Sequence, residues 1–202
     1  MVARAVSWMV VAGALLAARP THAAEPQPPP NDQAPLLAAT PGGQLTYSAA
    51  DRVRIADVTR DGITGADLAL RRSPGGLSGN VGTDPVDLRL EPNRIDGTVG
   101  DRQVGLDVVR KGGTLQVAGM FGDRSLVMEI RHDVIHAQVG PCAYTLPLVL
   151  GRYRGAVACG GTPIAVELSL PASLVARDDR ELAAMLTAVL DRASAGGSSA
   201  RL

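Results

Sequence analysis

The sequence predicts a mainly β fold. It reads as an antiparallel meander of about ten to twelve short strands, built from repeated hairpins into a curled or barrel-like sheet, with one C-terminal amphipathic helix packed on the apolar face. Three observations carry this prediction. One motif recurs five times between Leu77 and Leu170, one pairing register satisfies the copies together, and an apolar stripe at helical spacing follows the last copy.

The chain opens with a basic residue, Arg4, an apolar run from Ala5 to Ala18, and small residues around Ala23 and Ala24. That is the pattern of a secretory signal peptide, here residues 1–23. Residues 24–43 hold Pro26, Pro28, Pro29, Pro30, Pro35 and Pro41 with little apolar patterning, as a disordered linker would. Residues 44–193 then read as a single repeat-built domain, including a helix over 178–193, and 194–202 as a disordered tail.

Strand patterning begins at Leu45 and Tyr47, continues through Val53 and Ile55, and turns at Asp61-Gly62. Residues 52–71 resemble a degenerate copy of the repeated motif. The clear copies start Leu77-Ser-Gly-Asn-Val81, Ile95-Asp-Gly-Thr-Val99, Val117-Ala-Gly-Met-Phe121, Ile135-His-Ala-Gln-Val139 and Tyr153-Arg-Gly-Ala-Val157. Each continues after a turn as a second alternating run, such as Val86-Asp-Leu-Arg-Leu90.

With a four-residue turn over Gly100–Gln103, Gly97 faces Leu106. The same rule sets Gly79 against Leu88, Gly119 against Met128 and Ala137 against Leu146, while Gly155 meets Val166. Between copies, Leu90 opposite Ile95 puts Leu88 against Gly97. A small residue thus meets a large aliphatic on the apolar face, and side-chain period two is read as allowing only one register that does this while keeping the other face polar. The polar face holds Asn80, Asp87, Arg89, Thr98, Asp107, Glu129, Gln138, Thr145, Arg154 and Glu167. Pro147 removes a ladder donor and implies a local break in pairing.

After Pro171, Asp178 with Glu181 resembles a capping box. Leu182, Met185, Leu186, Val189 and Leu190 form one stripe. A barrel of more than about eight strands leaves a lumen that wall side chains alone do not fill. The helix is the obvious candidate to fill it; alternatively the sheet folds over into two layers, or a small ligand occupies the space.

Cys142 and Cys159 are the disulfide candidates. Leu148 facing Tyr153 puts Tyr144 against Val157 and, one step on, Cys142 against Cys159. An exported chain meets an oxidising compartment, and there is no C-x-x-C spacing to lower a thiol pKa. Asp57, Thr59, Asp61 and Asp67 echo a calcium loop, but Ile63 and Asp67 each come one position early and the flanks alternate like strands. A hairpin turn is the preferred reading. His132 and His136 straddle a turn and lack a third ligand in sequence. No metal site, cofactor or catalytic residue is assigned.

Without Arg4 and Arg19 the balance is 18 basic to 20 acidic residues, a net charge of −2, which gives no footprint for nucleic acid. Aromatics make up 2% of the chain, too few for stacking platforms. Short strands without aromatic girdles also argue against a membrane-spanning barrel. The expected role is an exported, periplasmic or extracellular, non-catalytic module with a structural or protein-interaction role. A carrier for an apolar small molecule in the sheet interior is the alternative, and an enzyme stands third. The partner is an unknown protein or apolar ligand.

Overall fold

The computed structural model of the chain describes residues 37–40, 42–50 and 52–197, without the side chains of 192–197. The signal peptide, most of the linker and the last residues of the tail lie outside the described residues.

Strands β1 (Gln44–Ala49), β2 (Arg52–Thr59), β3 (Gly62–Gly65), β4 (Leu68–Ser73), β5 (Gly76–Val81), β6 (Asp84–Glu91) and β7 (Arg94–Val99) form the first half of the sheet. Strands β8 (Arg102–Lys111), β9 (Thr114–Phe121), β10 (Arg124–Ile130), β11 (Val134–Val139), β12 (Cys142–Val149), β13 (Arg152–Ala158) and β14 (Ile164–Ser169) form the second. Each pairs antiparallel with its sequence neighbours, and β1 pairs with β14, closing a barrel of fourteen strands. The expected meander is therefore present with more strands than anticipated, because the stretch before Leu77 supplies four of its own. The helices α1 (Ala172–Val175) and α2 (Asp179–Gly197) follow β14.

Register matches expectation between copies and inside the fifth copy, and differs inside the first four. Leu88 faces Gly97, Met128 faces Ala137 and Gly155 faces Val166, as anticipated. Inside the first four copies the pairing is shifted by two residues. Gly97 faces Val104 rather than Leu106, Gly79 faces Val86, Gly119 faces Leu126 and Ala137 faces Tyr144. The cause is the turn. Val99 pairs with Arg102, so the loop is only Gly100-Asp101, and Gly100 at φ 63° sits where a two-residue hairpin turn requires a positive φ. A shift of two keeps every side chain on its face, so the inside–outside division survives.

The glycine row also has a sharper meaning than small-against-large packing. A Cβ on Gly97 would lie 2.0 Å from the carbonyl oxygen of Asp87, and one on Gly155 would lie 1.9 Å from that of Thr145. The neighbouring strand's backbone occupies the side-chain position. Such close approaches are how a sheet bends tightly at a barrel corner.

Val53 and Ile55 depart from the pattern. They point outward and are exposed, while Arg54, Ala56 and Val58 take the inner face of β2. Beside Pro147 the β12–β13 ladder is interrupted between Thr145 and Leu148, as a missing donor dictates.

The helix occupies the lumen. Every residue from Glu181 to Asp191 is buried, so this part of α2 is covered all round rather than along one stripe. Leu182, Met185, Leu186, Val189 and Leu190 are buried as the stripe implies, and Ala183, Ala184 and Ala188 are buried as well, which a stripe alone understated.

Polar groups clamp the helix at both ends. At its start Asp178 Oδ1 accepts hydrogen bonds from the Arg180 and Glu181 backbone N–H groups, both 3.0 Å. The reciprocal half of the capping box is missing, because the Glu181 carboxylate, 0% exposed, turns to Arg177 and lies 3.3 Å from Arg72 on β4. Arg110 on β8 holds Asp179. Near the other end, Asp191 accepts from Arg102 at 2.8 Å and from Arg124, and Tyr144 Oη donates to the Leu190 carbonyl at 2.7 Å. Arg102 also lies over the Phe121 ring, 4.8 Å from its centroid.

The ordered fold starts before the expected boundary at residue 44. Leu37 is fully buried, Ala38 N–H donates to Tyr153 Oη at 3.0 Å, and Thr40 N–H donates to the Leu170 carbonyl at 2.8 Å. One apolar side chain and these hydrogen bonds offset the entropy of ordering this stretch, which proline content alone does not reveal.

Candidate functional site: a cleft between the barrel wall and the central helix

The inner faces of β1 to β5 do not pack flush against α2. Leu45 and Tyr47 of β1, Ala56 of β2, Leu68 of β4 and Val81 of β5 face Ala188 and Val189 of the helix across a cleft of about 470 Å³, its open mouth included. The gap follows from size and from the wall. Ala56, Gly65, Ala66 and Ala188 are small, and β3 ends at Gly65, so β2 pairs with β3 only from Ala56 onward. Residues 52–55 of β2 stand above that limit with a partner on the β1 side alone. The wall has a notch there, and the cleft opens through it.

Three polar groups lie in or at this cleft. Tyr47 is 5% exposed, and its hydroxyl is buried without a hydrogen-bond partner among the described residues. Burial pushes its pKa up to about 12, against the opposing pull of the Arg54 charge. Arg54 faces Tyr47 directly across the β1–β2 ladder, so both side chains leave the sheet on the inner side. At the mouth Arg54 Nε lies 3.3 Å from Asp67 Oδ2, and both side chains are partly exposed. The cleft therefore offers an apolar pit, one buried hydroxyl with unused donor capacity, and a guanidinium held by a carboxylate that sits on a bend.

Cys142 and Cys159 lie at the same end of the barrel, with sulfurs 2.08 Å apart, a disulfide distance. They extend the β12–β13 register by one step beyond Ala143 opposite Ala158. The four residues of the calcium-like spacing are not brought together. Asp57 lies on β2 and accepts from Gln44 Nε2 at 3.1 Å. Thr59 ends that strand, Asp61 sits in the turn, and Asp67 lies beyond the far end of β3 beside Arg54. A strand separates Asp61 from Asp67, so the hairpin takes the place of a loop. His132 sits in the β10–β11 turn, where its carbonyl accepts from Tyr153 Oη at 2.9 Å. His136 lies outside on β11 beside Thr145, at 3.4 Å. Among the described residues no group of three or more His, Cys, Asp or Glu side chains could hold a metal ion.

Sequence reading missed Tyr47 and Arg54 as a pair. The register that pairs Ala49 with Arg52 sets Tyr47 opposite an arginine rather than an aliphatic. It also missed the rim that clamps Asp191. Asp84, Arg102 and Arg124 all stand directly after a Gly-x turn, at the same place in successive hairpins. Comparison with protein-family models, curated proteins and solved structures finds no match to this chain or to its fold.

Proposed function

We propose that the chain is an exported, non-catalytic β-barrel module of the cell envelope or the secreted fraction, with a structural or protein-interaction role. The observation that carries this reading is the occupied lumen. A helix buried on all sides and clamped by ion pairs at both ends leaves the outer wall as the main working surface. That wall alternates charges such as Asp87, Arg89, Asp107 and Arg154 with isolated apolar residues, among them Val109, Met120 and Val127. A charged exterior around an apolar interior is the reverse of a membrane-spanning barrel. Among the described residues no helix is long and apolar enough to cross a membrane.

Export is supported by the leader-like first residues and by the cysteine pair at disulfide distance. Expression of the full chain with its own leader, followed by fractionation, N-terminal sequencing and thiol counting, tests it. A chain cleaved near residue 23, outside the cytoplasm and without free thiols, is the expected result. An uncleaved cytoplasmic chain with two free thiols would refute it. A second reading, a carrier for a small apolar molecule, is favoured by the cleft beside Tyr47.

A further inference from the structure

We infer that the cleft between α2 and strands β1 to β5 binds a single-chain amphiphile with a carboxylate head, the head held by Tyr47 and Arg54 and the tail lying along the helix. The inference rests on the carrier reading and adds the head-group chemistry to it. Its first support is the Tyr47 hydroxyl, buried in an apolar cleft with no partner among the described residues. A buried donor left unsatisfied is destabilising, and an acceptor brought in by a ligand removes that penalty. Its second support is register. Arg54 stands opposite Tyr47 on the inner face, so a hydroxyl donor and a guanidinium converge where the apolar pit meets solvent. Tyr47 and Arg54 both offer donors, Asp67 is the one carboxylate beside them, and the planar fork of a guanidinium suits a carboxylate in particular.

Asp67 shows how the head would be admitted. It already places a carboxylate on Arg54, but it comes from a bend, is half exposed and makes a partly solvated ion pair. Pairs of that kind contribute little, so exchange for an incoming carboxylate costs little. The tail would contact Leu45, Ala56, Leu68, Val81, Ala188 and Val189.

The test is titration calorimetry on the full barrel with decanoate and with decan-1-ol, each below its aggregation concentration. Decanoate should bind about tenfold or more tightly than the alcohol, as expected of a charge-assisted pair. Arg54→Gln should abolish that preference, and Tyr47→Phe should weaken decanoate several-fold. Equal affinity for the two probes, or a preference that survives Arg54→Gln, overturns the head-group assignment while the carrier reading stands. Binding of neither probe overturns both. The Arg54 side chain is about one-third exposed, and a melting curve of each variant checks that it is folded before titration.

Discussion

Replacing Gly97 with alanine tests the origin of the barrel corners directly. The added Cβ would lie 2.0 Å from the Asp87 carbonyl oxygen and 2.9 Å from the Leu88 Cα. An unforced carbon–oxygen contact is about 3.3 Å or more, so the strands must part by more than an ångström or the ladder must slip. Overpacking of this kind costs roughly 1–3 kcal/mol. Gly97 also sits at φ 147°, and holding an alanine there adds about 1–3 kcal/mol. Relief of glycine's entropic penalty in a strand returns about 0.5–1 kcal/mol. The net expectation is a loss of about 3 kcal/mol, or roughly 6–12 °C in Tm for a domain of this size. Urea and thermal unfolding of the oxidised protein read it. Gly113→Ala is the control, since a Cβ there meets nothing within 4 Å and its φ is not strained. A Gly97→Ala protein as stable as the Gly113→Ala protein would refute the reasoning.

Tyr153→Phe should lose about 1–3 kcal/mol in urea, because its hydroxyl accepts from Ala38 N–H and donates to the His132 carbonyl, whereas Tyr47→Phe should be neutral or stabilising. Burial lifts both phenols from 10.0 to about 12, so their contribution is whole below pH 10 and is lost as pH rises towards 12; an unfolding midpoint that is flat across this window would contradict it. Reduction of the Cys142–Cys159 pair should cost about 3 kcal/mol for a separation of 17 residues, measured as the difference in urea midpoint with and without reductant. Asp191→Ala should cost roughly 2–4 kcal/mol, less than a fully buried pair because Arg102 and Arg124 are about one-quarter exposed; an unchanged unfolding free energy would deny the clamp.

The inside–outside pattern was legible because it depends only on parity. Gly97 meets the wrong partner in the four-residue turn, yet both versions place it on the inner face. Loop length was less legible, since Gly100-Asp-Arg-Gln103 contains turn residues at several positions and only backbone geometry selects Gly100-Asp101. The wall near the cleft was least legible. Val53 and Ile55 satisfy an alternation test while facing outward, because β2 holds its inner face with Arg54 and Ala56, one charged and one small. Burial of Ala183, Ala184 and Ala188 also escapes a stripe analysis. Alanine marks no face by itself, and a closed wall is needed to cover it.

The closing seam has a consequence for how the chain folds. Thirteen of the strand pairings join sequence neighbours, and only β1 with β14 joins the two ends of the sheet. Neighbour hairpins form from local contacts, whereas the seam requires closure of a loop spanning nearly the whole domain. The segment that fills the barrel is also synthesised after every strand of the wall. A chain emerging N-terminus first must therefore hold an open, unsealed sheet until α2 arrives, and the sheet then wraps around it. A chain ending before Asp178 should remain open, with apolar inner surface that binds a hydrophobic dye, while the full chain does not. Its C-terminal segment thus acts as a mandrel, and the order of synthesis makes closure the last step of folding.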